Sequence, residues 1–211
     1  MRLHTLLWLL AMLLIFLFSP LITSPDRYIA AIDREVEQSA QWYAYSELDR
    51  ITANGEGLYR ILMISTGIDP AIKKYMIRDT PSKEVAPGAK LPDHIAKWAD
   101  QFIDYWASLL CNMHLFCFRL AHSAVWLGYL LPFLAAIIFD GVMTRQAKIE
   151  SFKYTSPTIY NMSWHLMIAI ICCSLVYFAL SMPISVFFYP GIITAFGLLS
   201  RALICNIQHS A

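Results

Sequence analysis

The chain has 211 residues, 58% of them hydrophobic and only 15% charged. Soluble domains carry roughly 25% charged residues, so the composition excludes an ordinary water-soluble globule and points to lipid as the solvent for much of the chain. A net charge of +1 with interspersed signs excludes the clustered basic face that direct nucleic-acid binding needs.

The charges are unevenly placed: thirteen of the fifteen acids and eleven of the sixteen Lys and Arg lie between Asp26 and Arg119. A water-exposed block is thus inserted between lipid-exposed ones. The expected fold is all-α, a membrane protein with four transmembrane helices and a helical extracytoplasmic domain. Its expected parts are an N-terminal transmembrane anchor over 1–23, a helical periplasmic domain over 24–120 running into the second span, and three transmembrane helices over 121–211 with a cytoplasmic loop at 140–163.

The first apolar run, 5–22, is eighteen residues without a charge, close to the roughly 20 that cross a bilayer. A cleaved signal peptide is the rival reading, but such peptides have a shorter apolar region and a small-residue cleavage site. Neither is evident before Ser24-Pro25, so an uncleaved anchor is favoured. Ser24 can cap the next helix, with Pro25 in its first turn. Ile29, Ile32, Val36, Ala40 and Tyr43 then recur at helical spacing and predict one apolar stripe, while Asp33-Arg34-Glu35 reads as a solvated face. Asn54-Gly55-Glu56-Gly57 is expected to end that helix. Short helices follow through Leu58, Ile61 and Leu62, and around 72–77, before an exposed loop over 81–91.

Pro92-Asp93 opens the strongest amphipathic pattern: Ile95, Trp98, Phe102, Trp106, Leu109, Met113, Phe116 and Leu120 step by three or four. The stripe runs without a break into the second apolar run, 121–139, which predicts one long helix leaving the membrane. Trp98, Phe102 and Trp106 are candidates for contact with a partner, or for burial against the domain's own first helix. Arg119 either faces the bundle in a functional role or snorkels toward headgroups; the second reading is favoured.

The third and fourth apolar runs, 164–180 and 184–199, are separated only by Ser181-Met182-Pro183 and predict a tight hairpin, with Pro190-Gly191 kinking the fourth. The Lys and Arg of the short segments are Arg2, Arg145, Lys148, Lys153 and Arg201. With four spans they fall on one side, which the positive-inside rule makes cytoplasmic. Both termini are then cytoplasmic. Asn161-Met162-Ser163 matches a glycosylation acceptor but falls on that same side.

No catalytic constellation is present: no Gly-rich phosphate loop, no Gly-x-Ser-x-Gly, no His-Glu-x-x-His. The apolar runs hold no acid, which argues against an ion or proton path. The five cysteines, Cys111, Cys117, Cys172, Cys173 and Cys205, lie in or beside apolar segments and read as small packing residues. Cys111, His114 and Cys117 offer one helical flank rather than a tetrahedral metal set. His122 and His165 sit at the ends of their spans, poorly placed for haem. The chain is expected to be non-enzymatic with no cofactor; a membrane redox or cofactor-binding enzyme is the alternative.

Asp140 and Gly141 directly follow an apolar run, with Arg145 a turn on, Lys148, and then Glu150-Ser151. This reads as an interfacial elbow or, functionally, as a docking surface made of Asp140, Gly141 and Arg145. These residues, with the layout of anchor, helical outer stretch and C-terminal hairpin, resemble a family of inner-membrane proteins of unknown function encoded by integrating conjugative elements and conjugative plasmids. After Ser151 the chain departs from that pattern, with Tyr154 and Tyr160 where the family carries a Tyr-His pair. The resemblance implies an accessory or scaffold subunit of a conjugative type IV secretion apparatus in a Gram-negative inner membrane. Its implied partners are the lipid bilayer, other membrane proteins of the complex and a coupling ATPase.

Overall fold

The computed structural model describes residues 2–78 and 93–207, and these form seven α-helices and one π-helical turn, with no strand among them. The chain divides into two compact units. The first comprises Leu13–Ala121 with Phe178–Pro183; the second comprises Met1–Met12, His122–Tyr177 and Ile184–Ala211.

Helix α1 (Arg2–Ile22) is apolar throughout its described face. It stops where Pro25 steers the preceding residue away from helical angles: Ser24 is extended, with φ −71° and ψ 155°. Helix α2 (Pro25–Ser39) begins there, bent 107° from α1. Ser24 stands at the cap position as predicted, but its hydroxyl makes no cap bond.

Two sequence expectations fail next. Helix α2 ends at Ser39, and the Asn54-Gly55-Glu56-Gly57 cluster lies inside helix α3 (Tyr45–Tyr59) instead of ending a helix. Gly55 serves packing: a Cβ there would lie 3.0 Å from the Cα of Phe118, so its missing side chain lets α3 approach α5 backbone to side. Helix α3 passes into a π-helical turn (Arg60–Ile64), closed by the Ser65 N–H donating to the Arg60 carbonyl at 2.9 Å. Gly67, at φ 78°, turns the chain into α4 (Ile68–Arg78). The loop expected over 81–91 lies outside the described residues.

Helix α5 (Asp93–Glu150) starts at the predicted Pro92-Asp93 signal and runs for 58 residues. At 1.5 Å per residue that is about 87 Å, nearly three times the roughly 30 Å hydrocarbon core of a bilayer. A large part of it must therefore stand outside lipid. The first unit packs on this helix through two apolar clusters. Tyr28, Ala31 and Leu115 form one; Met63, Ile72 and Leu110 form the other, with Tyr59, Trp106 and Met113 against it.

The expected loop at 140–163 is corrected: Asp140 and Gly141 lie within α5, and the irregular connection is only 151–156. Asp140-Gly141 does not turn because nothing there interrupts the helical hydrogen-bond ladder, and a glycine within a helix costs only about 1 kcal/mol. The stop comes at Phe152, a left-handed residue with φ 51°. The Phe152 N–H donates to the Ile149 carbonyl at 3.2 Å and the Lys153 N–H to the Lys148 carbonyl at 2.9 Å, the paired closure of a Schellman motif with phenylalanine in the usual glycine place.

Helix α6 (Pro157–Phe178) and helix α7 (Phe188–Cys205) follow. Their connection, 179–187, is three times as long as the expected three-residue turn. Pro190 falls in the first turn of α7, where proline is compatible with a helix, so it produces no mid-helix kink. Three helices are individually long and apolar enough to cross a membrane, in α5, α6 and α7; the count reaches four if the bent pair α1–α2 is one span.

Candidate functional site: a buried arginine clasp

Ser108, Asn112, Leu115, Arg119 and His122 of α5 are each 1% exposed or less and recur every three or four residues, with Cys117 equally buried beside them. Apart from Leu115 this line is polar. The apolar stripe predicted to form the core flanks it: Leu109, Met113, Phe116 and Leu120 are half-buried, and Phe102 is exposed. Helix α2 is offset in the same way. Its buried positions are Tyr28, Ala31, Glu35 and Ser39, whereas Ile29 and Ala40 of the predicted stripe are exposed. The sequence reading put apolar residues inward, as water demands. Here the inward faces are set instead by polar partners on facing helices, Arg119 of α5 meeting Glu35 of α2.

Arg119 occupies the centre of the first unit. Its side chain is 0% exposed and that of Glu35 2% exposed. The favoured expectation that Arg119 snorkels to headgroups is therefore wrong, and Glu35 does not belong to a solvated face. The Arg119 Nε donates to Glu35 Oε1 at 3.0 Å and to Oε2 at 3.3 Å, and Nη2 also donates to Oε1. Nη1 donates to the carbonyls of Phe178 at 2.8 Å and Leu180 at 2.7 Å, and Nη2 to the carbonyl of Met182. One planar guanidinium, with five donors in a fixed fork, thus binds a carboxylate on α2 and three carbonyls at and just beyond the end of α6.

Those carbonyls need a donor because no helix supplies one. Phe178 carries one of the last four carbonyls of α6, which lack an intrahelical partner, and Leu180 and Met182 lie in the irregular connection 179–187. Ser19 of α1 completes the set. Its hydroxyl donates to the Ala179 carbonyl at 3.3 Å and shares a 2.7 Å hydrogen bond with the Tyr28 hydroxyl. Four of the five carbonyls from Phe178 to Met182 are therefore held by side chains of α1 and α5. Phe116 adds an edge-to-face ring contact with Phe178, centroids 6.4 Å apart, and a second with Phe16 at 5.7 Å. Removing one member of a buried ion pair costs about 3–5 kcal/mol because the other charge is left uncompensated.

A second polar contact in this unit is milder. The Tyr59 hydroxyl donates to Asp69 Oδ2 at 2.9 Å, and Lys73 pairs with Asp69 at 2.9 Å. Burial first, and then the Asp69 carboxylate, push the Tyr59 phenol well above the ordinary tyrosine range.

The predicted site residues scatter. Trp98 and Phe102 are exposed, while Trp106 packs against the cluster of Met63, Ile72 and Leu110; its burial is against α4 and the π-turn, not the domain's first helix. Asp140 pairs with Arg201 of α7 across a solvent-accessible contact, and not with Arg145. Gly141 lies against α7: a Cβ there would meet the Arg201 Cα at 3.4 Å, ordinary van der Waals distance. Arg145 is half-buried, and its Nε has no hydrogen-bond acceptor among the described residues. The true elbow is held by residues the sequence did not single out together. Lys148 donates to the Cys205 carbonyl at 3.1 Å and to Asn206 Oδ1 at 3.3 Å, and the Ser156 N–H donates to the same oxygen at 3.2 Å.

All five cysteines are free, and no group of three or more His, Cys, Asp or Glu that could hold a metal occurs among the described residues. His122 stacks on Tyr189, rings 4.3 Å apart and 17° from parallel, while His165 is exposed.

A protein-family model, described as IncC plasmid conjugative DNA transfer protein DtrJ-like, matches residues 23–210. The match spans Glu35, Arg119, the carbonyl run at 178–182 and the Asp140–Arg201 pair. No curated protein and no solved structure matches the chain.

Proposed function

The chain belongs to the DtrJ-like family of conjugative DNA transfer proteins, and from that premise we propose that it is a non-enzymatic accessory or scaffold subunit of the transfer apparatus, seated in the inner membrane beside the coupling ATPase. The family match over residues 23–210 carries this reading. Two features support it. The buried polar groups of the clasp are engaged in holding backbone, an arrangement suited to fixing helices in place. Helix α5, about 87 Å long by its residue count, can present surface to partners well beyond the bilayer.

In this reading the basic short segments, Arg2, Arg145, Lys148, Lys153 and Arg201, lie in the cytoplasm with both termini, and α2 to α4 lie outside it. The exposed face of α5 at Trp98 and Phe102 and the Asp140–Arg145 stretch are the contact surfaces for other membrane subunits. The test is a mating assay with a donor lacking the gene, combined with in-cell crosslinking of the tagged protein. Loss of DNA transfer, restored by the full chain, and recovery of a secretion ATPase in the crosslinked fraction are the expected results. Normal transfer without the gene, or recovery of respiratory enzymes with a bound chromophore, would reject the scaffold reading. A membrane-impermeant thiol reagent tests the orientation: Glu37→Cys is expected to be labelled in intact spheroplasts, and labelling only after lysis would invert the topology.

A further inference from the structure

A pocket of about 450 Å³ lies at the bend between α1 and α2, walled by residues 20–25 on one side and by Gln101, Asp104, Tyr105 and Ser108 of α5 on the other. Its volume falls in the range of small-molecule sites, roughly 300–1,000 Å³. Three independent features give its lining acceptor character. The first is the open carbonyl end of α1. The Leu21 carbonyl would find its helical donor at position 25, which is proline and has no N–H; α1 also carries no basic residue in its last turn. The helix dipole adds partial negative charge at the same place. The second is the Asp104 carboxylate, which no ion pair or hydrogen bond engages among the described residues. The third is Ser108, which is 1% exposed, lines the cavity, and has no hydrogen-bond partner among the described residues. Among the described residues no Lys or Arg lines the pocket.

We propose that this pocket binds a primary ammonium group, presented by the ethanolamine headgroup of a phospholipid. An ammonium offers three donors, which can be shared among the Asp104 carboxylate, the Ser108 hydroxyl and the open carbonyls at the end of α1. Lipid is the favoured source because Leu21 and Ile22, which also line the pocket, are 61% and 84% exposed and offer an apolar surface to acyl chains beside the headgroup. A choline headgroup presents the same charge without an N–H, so it separates donor recognition from simple charge attraction.

The experiment is native mass spectrometry of the detergent-purified full chain after incubation with equal amounts of phosphatidylethanolamine and phosphatidylcholine. Wild-type protein is expected to retain the ethanolamine lipid about tenfold over the choline lipid, the size of one charge-assisted hydrogen-bond set. Asp104→Asn and, separately, Ser108→Ala should lower that ratio toward one while circular dichroism shows unchanged helix content. Displacement of the lipid by millimolar glycerophosphoethanolamine would keep the ammonium site and assign it to a free amine. Equal retention of the two lipids by wild-type protein, or an undiminished ratio in both folded variants, overturns the proposal.

Discussion

Among the described residues two Arg–carboxylate pairs join helices far apart in sequence, and they behave as opposites. Arg119–Glu35 in the first unit is fully buried and its guanidinium also binds three carbonyls, whereas Arg201–Asp140 in the second unit is 44% and 55% exposed. Chemistry is the same in both; surroundings differ. A buried guanidinium has no water to fall back on, so every donor must be matched by protein. An exposed pair exchanges its contacts with solvent or headgroups and contributes little. The first pair is structure-determining for the 178–182 connection, and the second decorates a contact already made by Gly141 against Arg201.

Substitutions can break that contrast at graded points. Arg119→Met should have the largest effect, a loss of about 3–5 kcal/mol, read as a lowered midpoint of chemical unfolding in detergent. Gly55→Ala tests the same region without touching a charge. Its new methyl would sit 3.0 Å from the Phe118 backbone, beside Arg119, and overpacking of this kind costs about 1–3 kcal/mol; a neutral result would show that α3 can retreat from α5. Tyr59→Phe removes a half-buried hydrogen bond to Asp69 and should cost about 1 kcal/mol. The pH dependence carries the sign of a raised phenol. The stabilisation is complete below the ordinary tyrosine value of about 10 and falls as pH rises above it, and Tyr59→Phe should remove that alkaline loss. Arg201→Gln should move the unfolding midpoint least of all, and a shift as large as that of Arg119→Met would erase the distinction between the two pairs.

What the sequence made legible follows the same contrast. The long elements were readable because length and hydropathy act over many residues: α1, α5, α6 and α7 lie where the apolar runs predict helices. Local signals misled where tertiary contact decided the outcome. Gly55 and Gly141 read as breakers, yet both lie inside helices with another helix against them, and at Gly55 the approach leaves little room for a side chain. Pro190 reads as a kink but sits in a first turn, where its missing N–H is harmless. Glu35 reads as one charge among many in Asp33-Arg34-Glu35, because nothing local distinguishes a carboxylate that meets an arginine 84 positions away. One signal was available. Arg119 stands at the edge of a long apolar run, Glu35 lies on the side of α2 next to its apolar stripe, and polar residues recur at helical spacing on α5 (Ser108, Asn112, Arg119, His122). The predicted docking residues Asp140 and Arg145 were drawn from a local elbow, and the structure carries both on a continuous helix instead.

The account's central claim is that Arg119 is needed for backbone carbonyls as well as for Glu35, and a double substitution separates those roles. Arg119→Met with Glu35→Leu removes both charges together, which ordinarily restores or even improves stability when an ion pair is all that is lost. Chemical unfolding of the double variant beside Arg119→Met is expected to show a midpoint still well below wild type, because the carbonyls of Phe178, Leu180 and Met182 remain without donors. Recovery to the wild-type midpoint would contradict the clasp and reduce Arg119–Glu35 to a simple buried pair.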